Sequence, residues 1–180
     1  DAPDLLLIWP CAGVAFAFAW RGGLRWSVPP ALGGALWAWV EFGSIGVAAS
    51  AFVASVAGPA AAVATLRRLN NWKPADYRLE AAVRFVGVVV LLAAPLDALL
   101  ATFGLGLSGL AGTAHPAHRF TVWWLIDSLG MLLVAPALLA WVGESLAEPE
   151  PGLSQQALID APAFFLTLLV IATSLMVSLF

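Results

Sequence analysis

The chain has 180 residues, of which 62% are hydrophobic and only 11% are charged, and its formal net charge is −3. A soluble domain of this length has too little interior to hide so much apolar surface, so the composition excludes an ordinary soluble protein. The single cysteine, Cys11, excludes an internal disulfide and a cysteine zinc cluster. We therefore predict an all-α, polytopic transmembrane bundle whose main partner is the lipid bilayer and not nucleic acid.

Apolar segments of about 20 residues predict six transmembrane helices within a single domain that covers residues 1–180. The second is weak because two prolines open it and two glycines follow, which favours a tilted, broken or partly interfacial helix. The third is rich in small residues and predicts a close packing surface. Prolines inside later helices must be covered by neighbours or water, which predicts a packed bundle with Pro59, Pro95 and Pro136 at its kinks. The six predicted spans are 5–20, 26–40, 45–69, 81–103, 120–142 and 161–180.

Basic residues are distributed unequally between the loops. Because the translocon retains basic loops in the cytoplasm, the imbalance predicts a protein of the cytoplasmic membrane whose Arg/Lys-rich loops are cytoplasmic. Both chain ends then fall on the outer side, and residues 143–160 form an acidic, proline-bearing cytoplasmic loop. Arg67 and Arg68, at the end of the third span, are interpreted as a topology anchor near lipid phosphates. The cytoplasmic group is Arg21, Arg25, Arg67, Arg68, Lys73, Arg78 and Arg84, against Arg119 alone on the other side.

Two carboxylates inside predicted spans, Asp97 and Asp127, are the main candidates for a functional site. A charge within a membrane helix costs about 2.5–3.5 kcal/mol on insertion scales, so such a residue needs a partner, a proton or water. Helical rise places Asp97 about 9 Å and Asp127 about 10 Å below the outer ends of their spans, at a similar depth. They could share a proton. Alternatively, Ser128 or another hydroxyl could satisfy Asp127, and a protonated Asp97 could cap the carbonyl that Pro95 leaves unpaired.

Aromatic residues near the same end predict the lining of a cavity that opens to the outer side. Trp9, Trp123 and Trp124 are the candidates, together with Pro10, although tryptophans at this depth are also typical of an interfacial belt. His115 and His118 are spaced for a metal, but a prolyl loop is a poor ligand frame, so we predict no metal site and no evident cofactor. No phosphate loop, nucleophile elbow or zinc-protease motif occurs in the sequence, which argues against an enzyme.

Four segments in order resemble the MASE1 family, an integral membrane sensor domain found at the head of bacterial histidine kinases, diguanylate cyclases and phosphodiesterases. The resemblance implies a bacterial inner-membrane domain of about eight helices, with one helix before Asp1 and one after Phe180. Its motifs carry over onto Pro10, Asp127, Gly130 and Pro136, whereas Asp97 rests on the physical argument alone. The four segments are IWPCAGVAFAFAWRGG, TLRRL, LLAAPLDALLATFGLGLSGL and WWLIDSLGMLLVAPALLAWV.

The chain departs from the family pattern at two places. Cys11 replaces the second proline of a Trp-Pro-Pro motif, and the third helix lacks an Asn and a Glu, offering only Ser55 and small residues. If those groups bind the family's ligand, this protein binds something else or has lost binding.

Two functions remain open at this stage. The first is a sensor region that passes a stimulus to a cytoplasmic kinase or cyclic-di-GMP output domain, with Asp127 contacting the signal. The second is a non-catalytic subunit of a respiratory or photosynthetic complex, whose partners are other transmembrane helices. A transporter that uses both aspartates is less favoured because no repeat symmetry is visible.

Overall fold

The structure is a computed structural model that describes residues 9–69, 79–110 and 115–144. Within these ranges the chain is helical and contains no strand, so the all-α prediction is confirmed for this part. A short 3₁₀ turn at Leu24–Ser27 joins the first two helices, and a π-helical turn at Val89–Ala93 interrupts the fourth. The helices are α1 Pro10–Gly22, α2 Val28–Phe42, α3 Ile45–Arg68, α4 Leu79–Leu107 and α5 Pro116–Glu144.

Three of these helices, α3, α4 and α5, are long and apolar enough to cross a membrane. With 24 to 29 residues they measure about 36–43 Å, which exceeds the hydrocarbon thickness of about 30 Å. Helices α1 and α2 have 13 and 15 residues, about 20 and 22 Å, and are shorter than a full span. The start of the first predicted span, all of the sixth and the acidic loop from residue 145 onward lie outside the described residues.

Local sequence explains where the helices begin and end. Pro10 opens α1, where its fixed φ suits the first helical position. At the end of α2, Gly43 adopts a left-handed φ of 61°, and its N–H donates to the Trp39 carbonyl at 2.8 Å. Ser44 then caps α3, because its hydroxyl accepts the Val47 N–H at 3.4 Å. The tight α2–α3 turn follows from these two residues.

The helices pack as a bundle in which α1 contacts α2, α3 and α5, while α4 lies between α3 and α5. The largest fully buried side chains come from four different helices: Phe16, Leu66, Val89 and Met131. Large apolar side chains remain exposed on the outer faces of α2 and α4, among them Leu36 and Leu91. An apolar exterior around a packed centre is what a membrane bundle requires, because lipid covers the outer faces.

Glycines at the helix crossings allow the backbones to approach closely. A Cβ at Gly13 would collide with the Gly130 carbonyl oxygen, and a Cβ at Gly130 would collide with the carbonyl of Trp9. Helices α1 and α5 therefore touch backbone to backbone. Between α3 and α4, a Cβ at Gly58 would collide with the carboxyl group of Asp97. The small residues predicted to form a packing surface on α3 lie at this contact.

Arginines mark one end of the bundle, which we call the basic end and define by Arg21, Arg25, Arg67, Arg68 and Arg84. The guanidinium of Arg67 donates to the Trp20 carbonyl at 2.7 Å and lies 5.5 Å from the centroid of the Trp20 ring. These contacts join the carboxyl-terminal ends of α1 and α3. Both arginines are exposed, and Arg67 ties the two helices together. The other end, at the α2–α3 turn, is called the opposite end below.

The π-helical turn in α4 accommodates Pro95. Inside the turn each N–H reaches the carbonyl five residues back, as Ala94 does with Val89. Pro95 has no N–H to offer to Val90 in the same pattern. Instead, the indole N–H of Trp124 donates to the Val90 carbonyl at 2.8 Å. A side chain of α5 therefore satisfies the backbone group that the proline leaves unpaired.

We expect Gly58→Ala to destabilise the protein by about 1–3 kcal/mol, because the added methyl group must displace the Asp97 carboxyl group. Gly87→Ala is the matched control, since a Cβ at this α4 glycine meets no atom within 4 Å. Thermal unfolding in detergent should show a lower Tm for Gly58→Ala and an unchanged or higher Tm for the control. Equal effects of the two substitutions would contradict the close approach of α3 and α4.

A double-mutant cycle tests the pairing of Trp124 with the proline gap. Trp124→Phe should cost about 1–3 kcal/mol, because it leaves the partly buried Val90 carbonyl without a donor. In a Pro95→Ala background the new backbone N–H can donate in its place, so the same substitution should cost about 1 kcal/mol less. Chemical denaturation of the four proteins measures both values, with the exposed Trp39→Phe as a control. An identical cost in the two backgrounds contradicts the pairing.

Candidate functional site

A cavity of about 40 Å³ lies inside the bundle, walled by side chains from all five helices. A water molecule needs about 10–15 Å³ by this measure, so the cavity has room for roughly three waters or a group of similar size. Phe42 and Val47 line one part of it, next to the α2–α3 turn at the opposite end. Small residues of α3 form much of the remaining wall. The chemically distinctive lining residues are Trp9, Trp37, Ser50, Ser55, Asp97, Trp123 and Asp127.

Asp97 is held against the backbone of α3. Its side chain is 2% exposed, and Oδ1 accepts the Gly58 N–H at 2.9 Å. Gly58 permits this contact because it has no side chain, and Pro59 follows it directly. The second oxygen, Oδ2, is buried and has no hydrogen-bond partner among the described residues. A buried acceptor without a partner is uncommon and calls for an explanation.

Asp127 lines the same cavity from α5 and is 4% exposed. The alternative in which Ser128 satisfies it does not occur in the structure, because the Ser128 hydroxyl is buried without a partner in the part of the chain described. Asp97 likewise does not cap the carbonyl left by Pro95, since Trp124 covers the Val90 carbonyl and Asp97 bonds to Gly58. None of the described residues that line the cavity is basic. Two carboxyl groups therefore share one cavity without a cationic side chain in its wall.

Both aspartates lie further from the ends of their helices than the sequence analysis predicts. Helix α4 continues to Leu107 and α5 already begins at Pro116, so each helix is about one turn longer at this end than expected. Asp97 is about 15 Å and Asp127 about 17 Å from these helix ends. The two carboxyl groups thus lie toward the middle of their helices.

Three tryptophans from three helices meet beside the aspartates. The Trp9 and Trp37 ring centroids are 4.7 Å apart at an interplanar angle of 62°. Trp123 lies 6.3 Å from Trp9 at 85° and 6.5 Å from Trp37 at 75°. The three ring planes are therefore steeply inclined to one another, and the rings pack edge to face. We call Trp9, Trp37 and Trp123 the tryptophan corner.

Trp37, like Ser50 and Ser55, lines the cavity but was not among the predicted site residues. The buried residues of α2 are Ala31, Gly34 and Ala38, and Trp37 lies beside them on the inner face. Trp39, two residues further, is about 200° away around the helix and is 51% exposed. The spacing of the small residues along α2 could have predicted that Trp37 faces inward and Trp39 outward. The weak hydropathy of this segment instead favoured a broken or interfacial helix.

The remaining predicted contacts lie elsewhere. Trp124 does not line this cavity, which corrects the prediction that both adjacent tryptophans face it: neighbouring residues project about 100° apart on a helix, and its indole binds Val90 in α4. Pro10 is exposed and opens α1, so it positions Trp9 without touching the cavity. Pro136 is also exposed, within the half of α5 nearer the basic end.

The histidines at the start of α5 are exposed, and His115 Nδ1 accepts the Ala117 N–H at 3.3 Å as a local cap. Across residues 9–69, 79–110 and 115–144, no group of three or more His, Cys, Asp and Glu side chains could hold a metal ion.

No protein-family model, curated protein or solved structure matches the chain. Its function is therefore argued from the geometry of the cavity.

We expect Asp127→Asn to leave thermal stability unchanged or to raise it, because an amide avoids the cost of burying a carboxylate, about 2.5–3.5 kcal/mol at a helix centre. The exposed Glu41→Gln on α2 serves as a control of equal chemistry and should have no effect. Tm measured in detergent at neutral pH decides the outcome. A fall in Tm for Asp127→Asn as large as that expected for Gly58→Ala would mean that the carboxyl group of Asp127 holds the helices together.

Proposed function

We propose that this chain is the membrane-embedded sensor region of a bacterial signalling protein of the MASE1 type. It lies in the inner membrane with its basic end in the cytoplasm and passes a stimulus to a cytoplasmic kinase or cyclic-di-GMP output domain. The described helices form the core of six spans in this chain and of an eight-helix domain. The observation that carries the proposal is the cavity in which Asp97, with its unpartnered Oδ2, and Asp127 lie beside three tryptophans.

Burial of these groups favours a binding role over a packing role. Two carboxyl groups without a basic neighbour in the cavity wall reduce stability, whereas apolar residues of similar size would pack at no such cost. Retaining such a cost near the centre of a membrane bundle is typical of sites that bind an ion, a proton or a ligand. The segments around this site resemble a family of membrane sensors, which supports a sensory function for the site.

The helices around the cavity are suited to change shape. Asp97 bonds to Gly58, which precedes Pro59 in α3, and it follows the π-helical turn and Pro95 in α4. Both helices thus lack regular backbone hydrogen bonds next to the same carboxyl group. A ligand that binds Asp97 would compete for its bond with Gly58 and change how α3 and α4 pack. Helix α3 ends at Arg67 and Arg68, on the side where an output domain would be attached.

The alternative function, a structural subunit of a larger membrane complex, is favoured by the absence of polar ligand-binding groups on α3 other than serines. However, the buried small residues of α3, among them Ala54, Gly58 and Ala62, pack against helices of this same chain, which leaves these residues unavailable to partner helices. Purification in mild detergent separates the two functions. A subunit is recovered in fixed ratio with a large complex, and a sensor is recovered with its own kinase or cyclase domain.

The test uses the full-length protein in cells and measures kinase or cyclase output. Asp127→Asn, Asp97→Asn and Trp37→Phe should each change the output by about tenfold, since loss of one buried contact biases a two-state equilibrium by about 1–2 kcal/mol. Trp39→Phe and Glu41→Gln are matched controls outside the cavity and should leave output unchanged. Expression is compared by immunoblot. Unchanged output in all three cavity variants, at normal expression, contradicts a sensory role for this site.

A further inference from the structure

The wall of the cavity combines two kinds of group, the buried carboxyl groups of Asp97 and Asp127 and the rings of the tryptophan corner. Trp123 and Asp127 are four residues apart on α5, so an indole and a carboxyl group share one face of this helix. Carboxylates attract a positive charge, and the face of an indole ring does the same through its quadrupole. A ligand that satisfies both kinds of group must therefore be a cation with an apolar surface.

The three rings pack edge to face and form one continuous aromatic surface. Trp123 lies 6.3 Å from Trp9 and 6.5 Å from Trp37, at angles of 85° and 75°. All three residues line the cavity. A cation within about 6 Å of an indole face is attracted to it, so this surface suits a cationic ligand.

A metal ion fits this wall less well. Calcium takes six to eight oxygen ligands and magnesium requires six in a regular octahedron. The cavity offers two carboxyl groups and the hydroxyls of Ser50 and Ser55, fewer oxygen groups than either ion requires, and the Ser50 hydroxyl donates to the Val47 carbonyl of its own helix. Tryptophan supplies no oxygen, only a donor and an apolar ring face. Three of the most prominent wall residues would thus contribute nothing to a metal.

We propose that the cavity binds a small organic ammonium cation, a methylated or primary amine with few carbon atoms. The carboxyl groups of Asp97 and Asp127 neutralise its charge, and Trp9, Trp37 and Trp123 cover its carbon surface. The cavity has room for roughly three waters, which limits the ligand to an ammonium group with short substituents. The role of this cation as the signal rests on the sensor function proposed above, whereas binding of the cation to the cavity does not.

The binding test uses the purified chain in nanodiscs of phosphatidylglycerol, a lipid without an ammonium group, titrated with tetramethylammonium or ethylammonium chloride in a calorimeter. Sodium chloride provides the reference for general ionic effects. We expect saturable binding of at least one ammonium salt, weakened about fivefold to tenfold by Trp37→Leu and more strongly by Asp97→Asn. Trp39→Leu, on the same helix but outside the cavity, should bind as the parent does. Trp123→Leu replaces Trp37→Leu if the latter does not fold.

Two further measurements complete the test. The first identifies the source of the cation, and the second separates ammonium binding from the signalling role. Nanodiscs with added phosphatidylethanolamine should weaken ammonium binding if a lipid headgroup is the natural ligand, and should leave it unchanged if the ligand is a free amine. Either result supports the ammonium site. No heat beyond that of sodium chloride, or equal weakening by Trp37→Leu and Trp39→Leu, overturns it. A change of signalling output in the cavity variants without ammonium binding overturns this inference while leaving the sensor function intact.

Discussion

The hydrogen bond from the Gly58 N–H to Asp97 Oδ1 is the interaction on which the rest of this structure depends. It crosses from α3 to α4 at 2.9 Å in the buried centre of the bundle. The bond requires a glycine, because any Cβ at position 58 would occupy the place of the carboxyl group. It also holds Asp97 at the wall of the cavity that Asp127 lines from α5. The absence of a side chain at Gly58 on α3 thus determines where the carboxyl group of Asp97 lies.

Irregular backbone is concentrated around this bond. Pro59 interrupts α3 one residue later, and the π-helical turn at Val89–Ala93 with Pro95 interrupts α4 just before Asp97. Such breaks are tolerated at membrane depth when neighbouring groups satisfy the freed backbone atoms. Trp124 does this for Val90, and the carboxyl group of Asp97 binds the backbone of α3. Trp124 thus repairs α4 outside the cavity, whereas Asp97 connects the irregular stretches of α3 and α4 to its wall.

Much of the arrangement could be predicted from the sequence. Apolar length identified α3, α4 and α5, and the cost of intramembrane charge singled out Asp97 and Asp127, which meet in one cavity with Trp9 and Trp123. Gly58 could not be recognised, because a glycine among many small residues reveals its role only when the opposing side chain is placed. Trp37 was missed because α2 is short and its hydropathy is weak. The different roles of Trp123 and Trp124 depend on the rotation of α5, which neighbouring helices set.

Asp97 and Asp127 line one cavity whose described wall has no basic residue, and this shared site is the central claim of the account. The most direct test is a double-mutant cycle on thermal stability with Asp97→Asn, Asp127→Asn and the double variant. If the two groups share the cavity they interact, so the effect of the second substitution should differ from its effect alone by about 1 kcal/mol or more. Strictly additive effects would contradict a shared cavity, because they would show that the two aspartates do not interact.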